Sequence, residues 1–318
     1  MANCIFVETG QCGNQLGFSL LNSLHDHLAT LEGDEYAEML ETCFHSSSSK
    51  DSKPVARAVC LDTEPKVINE CLQKSNHRPW RLDPKKVAYR HGGAGNNWAL
   101  GYEMASGEFL ELSINLIRRE LELCNDSQSL VFMHSVAGGT GSGLGTKISE
   151  ACADEFPEAT RMNIAVAPYH FGEVVVQHYN AVLCLSKISA ASDAVLVFEN
   201  EVAQMLCKTM RGIERPSLNQ LNETIVSNLL PIFLPRYSNT TTSSTSNSTT
   251  SSLYHRNRHG LIDDITHLCA HPGYKYLDIK ITPQTSNKSV SFTYDSWNTL
   301  LKTIQQMQLS GSASERNI

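Results

Sequence analysis

The chain has 318 residues, 41% of them hydrophobic and 19% charged, enough for a sizeable core and a prior of two domains. A formal charge of −7, with no Lys/Arg cluster, argues against general nucleic-acid affinity. The longest apolar stretches, such as residues 194–198 and 228–234, are too short to cross a bilayer, and no secretory signal opens the chain. A cytosolic protein without membrane insertion is expected. Its ten cysteines, with no C-x-x-C pair, read as reduced and mostly buried thiols, with no structural metal.

Residues 4–7 are a short apolar run, read as a first central strand. The strand ends in a glycine-containing loop, Gly10-Gln11-Cys12-Gly13-Asn14-Gln15. An amphipathic helix follows, with Leu16, Leu20, Leu24, Leu28 and Leu31 on one stripe. Residues 45–53 read as an exposed, Ser-rich loop. The next strand, residues 55–61, delivers Asp62, Thr63 and Glu64 at its carboxyl end, where ligands bind in an open parallel sheet. Two carboxylates there suit a Mg²⁺ ion held directly or through water, although solvated loop carboxylates fit the position as well.

Residues 87–90 lead into a second glycine loop, Gly92-Gly93-Ala94-Gly95-Asn96-Asn97-Trp98. A helix over about 103–124 follows, with Leu112, Leu116, Ile117 and Leu121 inward. The apolar run at residues 130–133 then enters Ala137-Gly138-Gly139-Thr140-Gly141-Ser142-Gly143, with a helix over 144–156 and Ser142 as a plausible N-cap. A strand, a glycine loop and a helix start together aim unpaired N–H groups and a positive dipole end at one point, a site for an anion. The loop fits neither common template. Read as G-x-G-x-x-G it meets Leu144 or Thr146 at the third glycine, and Gly143 is followed by Leu144 where a Walker loop has lysine.

Residues 162–167 and 194–198 are two more strands. Between them, residues 172–180 carry Glu173, Gln177 and Asn180, side chains that could reach a sugar. A long helix is expected from Ser217 to about Leu234, with Leu221, Ile225 and Leu229 on one side and Pro231 and Pro235 near its end. Residues 238–252 are all Ser, Thr or Asn and read as a disordered surface insertion. Beyond it come a helix over 260–271, strands over 274–281 and 289–294, and a helix over 297–309. Repeated strand, loop and helix units predict an α/β fold with a doubly wound, mostly parallel sheet, and its glycine loops and polar strand ends share one edge.

The glycine segments at 10–15, 93–98 and 138–143 resemble, in order and spacing, GTP-binding loops of the tubulin family. The runs at 64–69, 137–145 and 172–177 are similar to the delta branch of that family rather than to alpha or beta chains. The resemblance implies a tubulin-type GTPase domain over residues 1–215, a core helix at 216–237, the insertion at 238–252 and a partial second domain at 253–318. It also implies GTP or GDP with Mg²⁺ as ligands. Gln11, Cys12 and Gln15 would lie on the phosphates and base edge, and Asp62 and Glu64 near the metal. Ala94, Gly95 and Asn96 would face the γ-phosphate, while Ser135, Gly138, Gly139, Thr140 and Gly141 would cradle the phosphates. Glu173 matches a ribose-facing acid, Gln177 stands where many tubulins have glutamate, and Asn200 and Asn222 match the pair that reads guanine.

The family's stacking aromatic falls at Leu218, which would weaken nucleotide binding by about a kcal/mol. Hydrolysis in the family is completed in trans by an acid of the next subunit, and Asp263 is its best match here, one carbon shorter than the glutamate of alpha chains. Family members continue past residue 318, so the chain is read as C-terminally truncated. The resemblance therefore implies a GTP-binding cytoskeletal protein of centrioles, basal bodies and cilia, with other tubulins or centriolar proteins as partners and at most slow GTP hydrolysis. The alternative is an interaction fragment that binds nucleotide but neither polymerises nor hydrolyses. A dinucleotide oxidoreductase is disfavoured by the failed glycine fingerprint.

Overall fold

The computed structural model describes residues 3–31, 33–45, 53–124, 127–172, 174–234, 236–239, 256–284 and 296–314. The chain opens with strand β1 (Asn3–Thr9), helices α1 (Gly10–Leu28) and α2 (Gly33–Cys43), and strands β2 (Phe44–His45), β3 (Val55–Ala56) and β4 (Ala58–Asp62). Helix α3 (Pro65–Asn76), β5 (Val87–Tyr89), α4 (Trp98–Met104), α5 (Glu108–Glu122) and β6 (Gln128–Ser135) follow. Next come α6 (Gly145–Glu155), β7 (Thr160–Ala167), α7 (Gln177–Ala191), β8 (Ala194–Glu199), α8 (Asn200–Arg211) and α9 (Leu218–Phe233). The remaining described elements are β9 (Arg236–Asn239), β10 (Arg256–His259), α10 (Leu261–Leu268), β11 (Tyr276–Leu277) and α11 (Trp297–Ser314).

Seven strands form one sheet in the order β11-β8-β7-β6-β1-β4-β5, and every pairing within it is parallel. Both faces are covered, which is why the central strands send apolar residues to both layers instead of alternating apolar with solvent-facing positions. Cys4 and Phe6 of β1 face the layer that includes α1, α8 and α9, whereas Ile5 and Val7 face α5 and α6. Helix α1 buries Leu16, Leu20, Leu21, Leu24 and Leu28 against the first layer, where Phe6 also meets Phe233 of α9 edge-on at 5.5 Å. Successive strands build outward from β1 through β4 to β5, and then β6 starts again on its other side. The sheet therefore reverses direction between β1 and β6, the place where open α/β sheets leave a crevice at their carboxyl ends.

The doubly wound parallel sheet expected from the sequence is present, and several local expectations change. The stretch from Gly10 to Gln15 is the first turns of α1 and not a loop, because β1 passes into the helix without a connection. The strand expected at 55–61 breaks at Arg57, whose N–H donates to the Cys43 carbonyl while its own carbonyl accepts from Phe6 N–H. The helix expected over 103–124 begins at Glu108, since Gly107 takes φ +60° and separates it from α4. Leu112 points outward, 48% exposed.

Ser142 is not an N-cap. It lies inside a π-helical turn, Thr140–Leu144, and its hydroxyl donates back to the Gly138 carbonyl. The Ser217 hydroxyl instead caps α9, and Pro231 is held in that helix's last turn. The strand expected over 274–281 is confined to β11, which extends the main sheet beside β8. The helix expected over 260–271 shortens to α10. Ser238 and Asn239 belong to β9, which pairs antiparallel with β10. Residues 240–252 and the strand expected at 289–294 lie outside the described residues.

Candidate functional site

At the reversal point the glycine segments pack on one another. Gly10 has φ +72°, and a Cβ there would stand 2.9 Å from the backbone nitrogen of Gly141. A Cβ on Gly139 would stand 2.6 Å from the Ala94 carbonyl oxygen and 2.7 Å from Asn97 N. Side chains are excluded at both positions because three backbone segments share the space. Asn14 ties α1 to the neighbouring strand, its Nδ2 donating to Gly10 O at 2.8 Å and Leu61 O at 3.2 Å.

Asn180, read from sequence as a sugar contact, holds loops together instead. Its Nδ2 donates to Asn96 O at 2.7 Å and Ala137 O at 2.8 Å, and its Oδ1 accepts from Trp98 N–H at 3.0 Å. One buried amide thus fastens α7 to the turn before α4 and to the turn after β6. The Asn97 carboxamide caps α4 by accepting from Ala99 and Leu100 N–H.

These segments enclose a cavity of about 700 Å³. One part of its lining is Gln11, Cys12 and Gln15 of α1 with Asp62 and Glu64 after β4. Ala94, Gly95 and Asn96 form another part, and Ser135, Gly138, Gly139, Thr140 and Gly141 a third. Asn200 at the start of α8 and Leu218 and Asn222 of α9 line a further part. Gln177 lies outside the lining, as does Asp263, which was expected to serve a neighbouring subunit's site and not this one. Gln177 is only 4% exposed and its Nε2 donates to the Tyr169 carbonyl at 2.7 Å. Asp263 is exposed, and its carboxylate accepts from Gly260 N–H at 2.9 Å, capping α10. Glu173 lies outside the described residues.

The cavity also takes in Thr63, which the sequence put at the ligand-binding end of its strand, and Lys66, Val67, Glu70, Val166 and Leu221, which sequence reasoning did not assign to a site. A usable signal existed for Lys66 and Glu70. They stand four residues apart just after Pro65, so they share a helix face at the carboxyl end of β4. Thr63 Oγ1 lies 2.5 Å from Thr140 Oγ1, joining the β4 end to the turn after β6.

Asp62 is 4% exposed, and its carboxylate accepts from the N–H groups of Thr63 and Glu64. Burial still pushes its pKa up to about 6, the two N–H groups pull the other way, and the charge of Glu64 adds to the rise. This is a carboxylate short of positive charge, which suits a cation. Burial also pushes the Cys12 thiol up to about 12, so it meets a ligand as a neutral group. Outside the cavity lining, exposed His170 and Glu199 and half-buried Glu201 bring ligand atoms within 4.8 Å of one another.

The arrangement can do three things chemically. Turns of backbone N–H groups and the amino end of α1 can receive oxyanions. The amides of Asn200 and Asn222 can pair with a flat ring carrying both donors and acceptors. The carboxylates at the β4 end can hold a divalent cation.

Residues 3–208 match the family model described as Tubulin/FtsZ family, GTPase domain. The chain is 34% identical over 323 aligned residues to the tubulin delta chain of Homo sapiens, covering 99% of this chain and 68% of that one. It is equally similar, at 34%, to the tubulin delta chain of Mus musculus. The tubulin beta-1 chain of Chondrus crispus is 32% identical over 232 residues, 70% of this chain and 50% of the relative.

Proposed function

Because this chain belongs to the tubulin/FtsZ family, we propose that its cavity takes GTP or GDP with Mg²⁺ and that nucleotide occupancy governs assembly with other tubulins. The observation that carries this reading is the convergence of three interlocked glycine segments and two asparagines on one cavity at the sheet's reversal point. In this reading the N–H groups around Gly138–Gly141 and the start of α1 receive the phosphates. The Asn200 and Asn222 amides pair with the mixed donor–acceptor edge of guanine. Leu218, 62% exposed, covers one ring face by apolar contact. Asp62 and Glu64 would hold Mg²⁺, which supplies charge neutralisation for the phosphates.

The finer reading places the protein in the cytoskeleton at centrioles, basal bodies and cilia, following its similarity to tubulin delta chains. Hydrolysis would be slow and would depend on Asp263 of a neighbouring subunit. The engagement of the Asp263 carboxylate with Gly260 N–H favours a second reading, in which the chain binds nucleotide without turning it over. A hydrolysis rate that rises steeply with protein concentration would decide against that second reading.

The direct test is the nucleotide content of the purified chain beside two variants, Gly141→Asp and Asn222→Ala. A Cβ at Gly141 would stand 3.0 Å from the Ser135 carbonyl oxygen, and aspartate adds charge where phosphate is expected. Asn222→Ala removes only an amide at the base end. Wild-type protein should retain guanine nucleotide, Gly141→Asp should lose it, and Asn222→Ala should bind it more weakly with circular dichroism unchanged. Equal retention by all three would overturn the proposal.

A further inference from the structure

Resting on the guanine-nucleotide reading of the cavity, we propose that Lys66 is the residue by which this site distinguishes a nucleoside triphosphate from a diphosphate. The cavity wall carries three carboxylates, Asp62, Glu64 and Glu70, and Lys66 is the only basic residue lining it among the described residues. Such a wall repels phosphate unless positive charge is supplied, and each added phosphate charge raises the demand. A triphosphate brings roughly one more negative charge than a diphosphate. In the same reading the backbone N–H groups around Gly138 and Gly139 would serve either ligand.

Lys66 is placed to answer the difference. It stands in the first turn of α3, one residue after Pro65, on the segment that leaves Asp62 and Glu64. Its side chain is exposed, and no ion pair or hydrogen bond engages it among the described residues. Glu70, four residues on, lines the same wall and also leaves it unpaired. A long flexible stem with a point charge at its tip can move to the outermost phosphate and leave when that phosphate is absent.

The test measures binding of GTP, GDP and guanosine to wild-type chain, Lys66→Gln and Lys66→Arg at saturating Mg²⁺, by isothermal calorimetry. Lys66→Gln should weaken GTP about tenfold, GDP less than about threefold and guanosine not at all, the scale of one charge-assisted contact. Lys66→Arg should restore most of the preference. Thermal unfolding of the ligand-free variants should match wild type, because the exposed side chain makes no hydrogen bond or ion pair among the described residues. Equal losses for GTP and GDP, or no loss for either, would overturn the role of Lys66 while leaving the nucleotide reading standing. Wild-type protein that binds neither nucleotide would overturn that reading and the role of Lys66 with it.

Discussion

Glu8 shows how much a single residue can cost and still be kept. It is fully buried in β1, and a Cβ on Gly17 of α1 would stand 2.2 Å from its carboxyl group. Cys60 Sγ donates to one oxygen at 3.5 Å, and the other has no hydrogen-bond partner among the described residues. Burial pushes its pKa up to about 8, only partly opposed by that thiol. The folded state therefore keeps a proton that the unfolded chain releases near its ordinary value of 4.5, and this group's contribution to stability falls as pH rises from about 4.5 to about 8. Glu8→Gln should remove the slope. Melting temperatures of wild type and variant, compared across that range, should diverge in favour of the variant toward the alkaline end, and parallel curves would contradict the assignment. Asn180 teaches the converse lesson. A polar residue near the site was legible, but its partners lie 84 and 43 residues away in sequence, so its role as a clamp was not.

Helix α1 explains why so much of the site could be read at the level of elements. Its apolar stripe has helical spacing, and the structure buries Leu16, Leu20, Leu24 and Leu28 as that spacing demands, with Leu21 beside them. Leu24→Ala should destabilise the chain by about 2–5 kcal/mol, since the cavity it opens lies between helix and sheet where relaxation is limited. Denaturant midpoints measure this, and a loss under about 1 kcal/mol would mean that the layer repacks freely. Strands and glycine segments carried strong local signals for the same reason: a continuous apolar run before glycines specifies a buried strand and a turn almost regardless of what surrounds them. Boundaries were harder. The direct passage of β1 into α1 goes with the close packing of Gly10 on Gly141, a contact that no window of local sequence contains.

For the whole molecule, the decisive fact is that the sheet order turns separate signals into one place. Gly10, Asp62 and Gly138 belong to three different strand ends, and only the order β6-β1-β4 makes them neighbours. Their shared edge could be read from the sequence, because successive strand–loop–helix units imply a parallel sheet. Gln177 was expected beside the nucleotide from the family resemblance, which does not fix which way its side chain turns. It binds the Tyr169 carbonyl.

The pairing of β9 with β10 has a practical meaning for anyone working with this chain. Asn239 sits opposite Arg256 across an antiparallel ladder, so the two ends of the intervening Ser/Thr/Asn-rich stretch are fixed about 5 Å apart. A segment that leaves and re-enters at neighbouring points is a natural port for foreign sequence. Replacing residues 240–255 with a short Asn-Gly turn, or with an epitope tag, should leave the melting temperature and nucleotide affinity within error of wild type. A large loss of either would show that the stretch contributes to the fold. If the port is open, a fluorophore placed there would report the position of the protein in cells without touching the cavity, the sheet or α9.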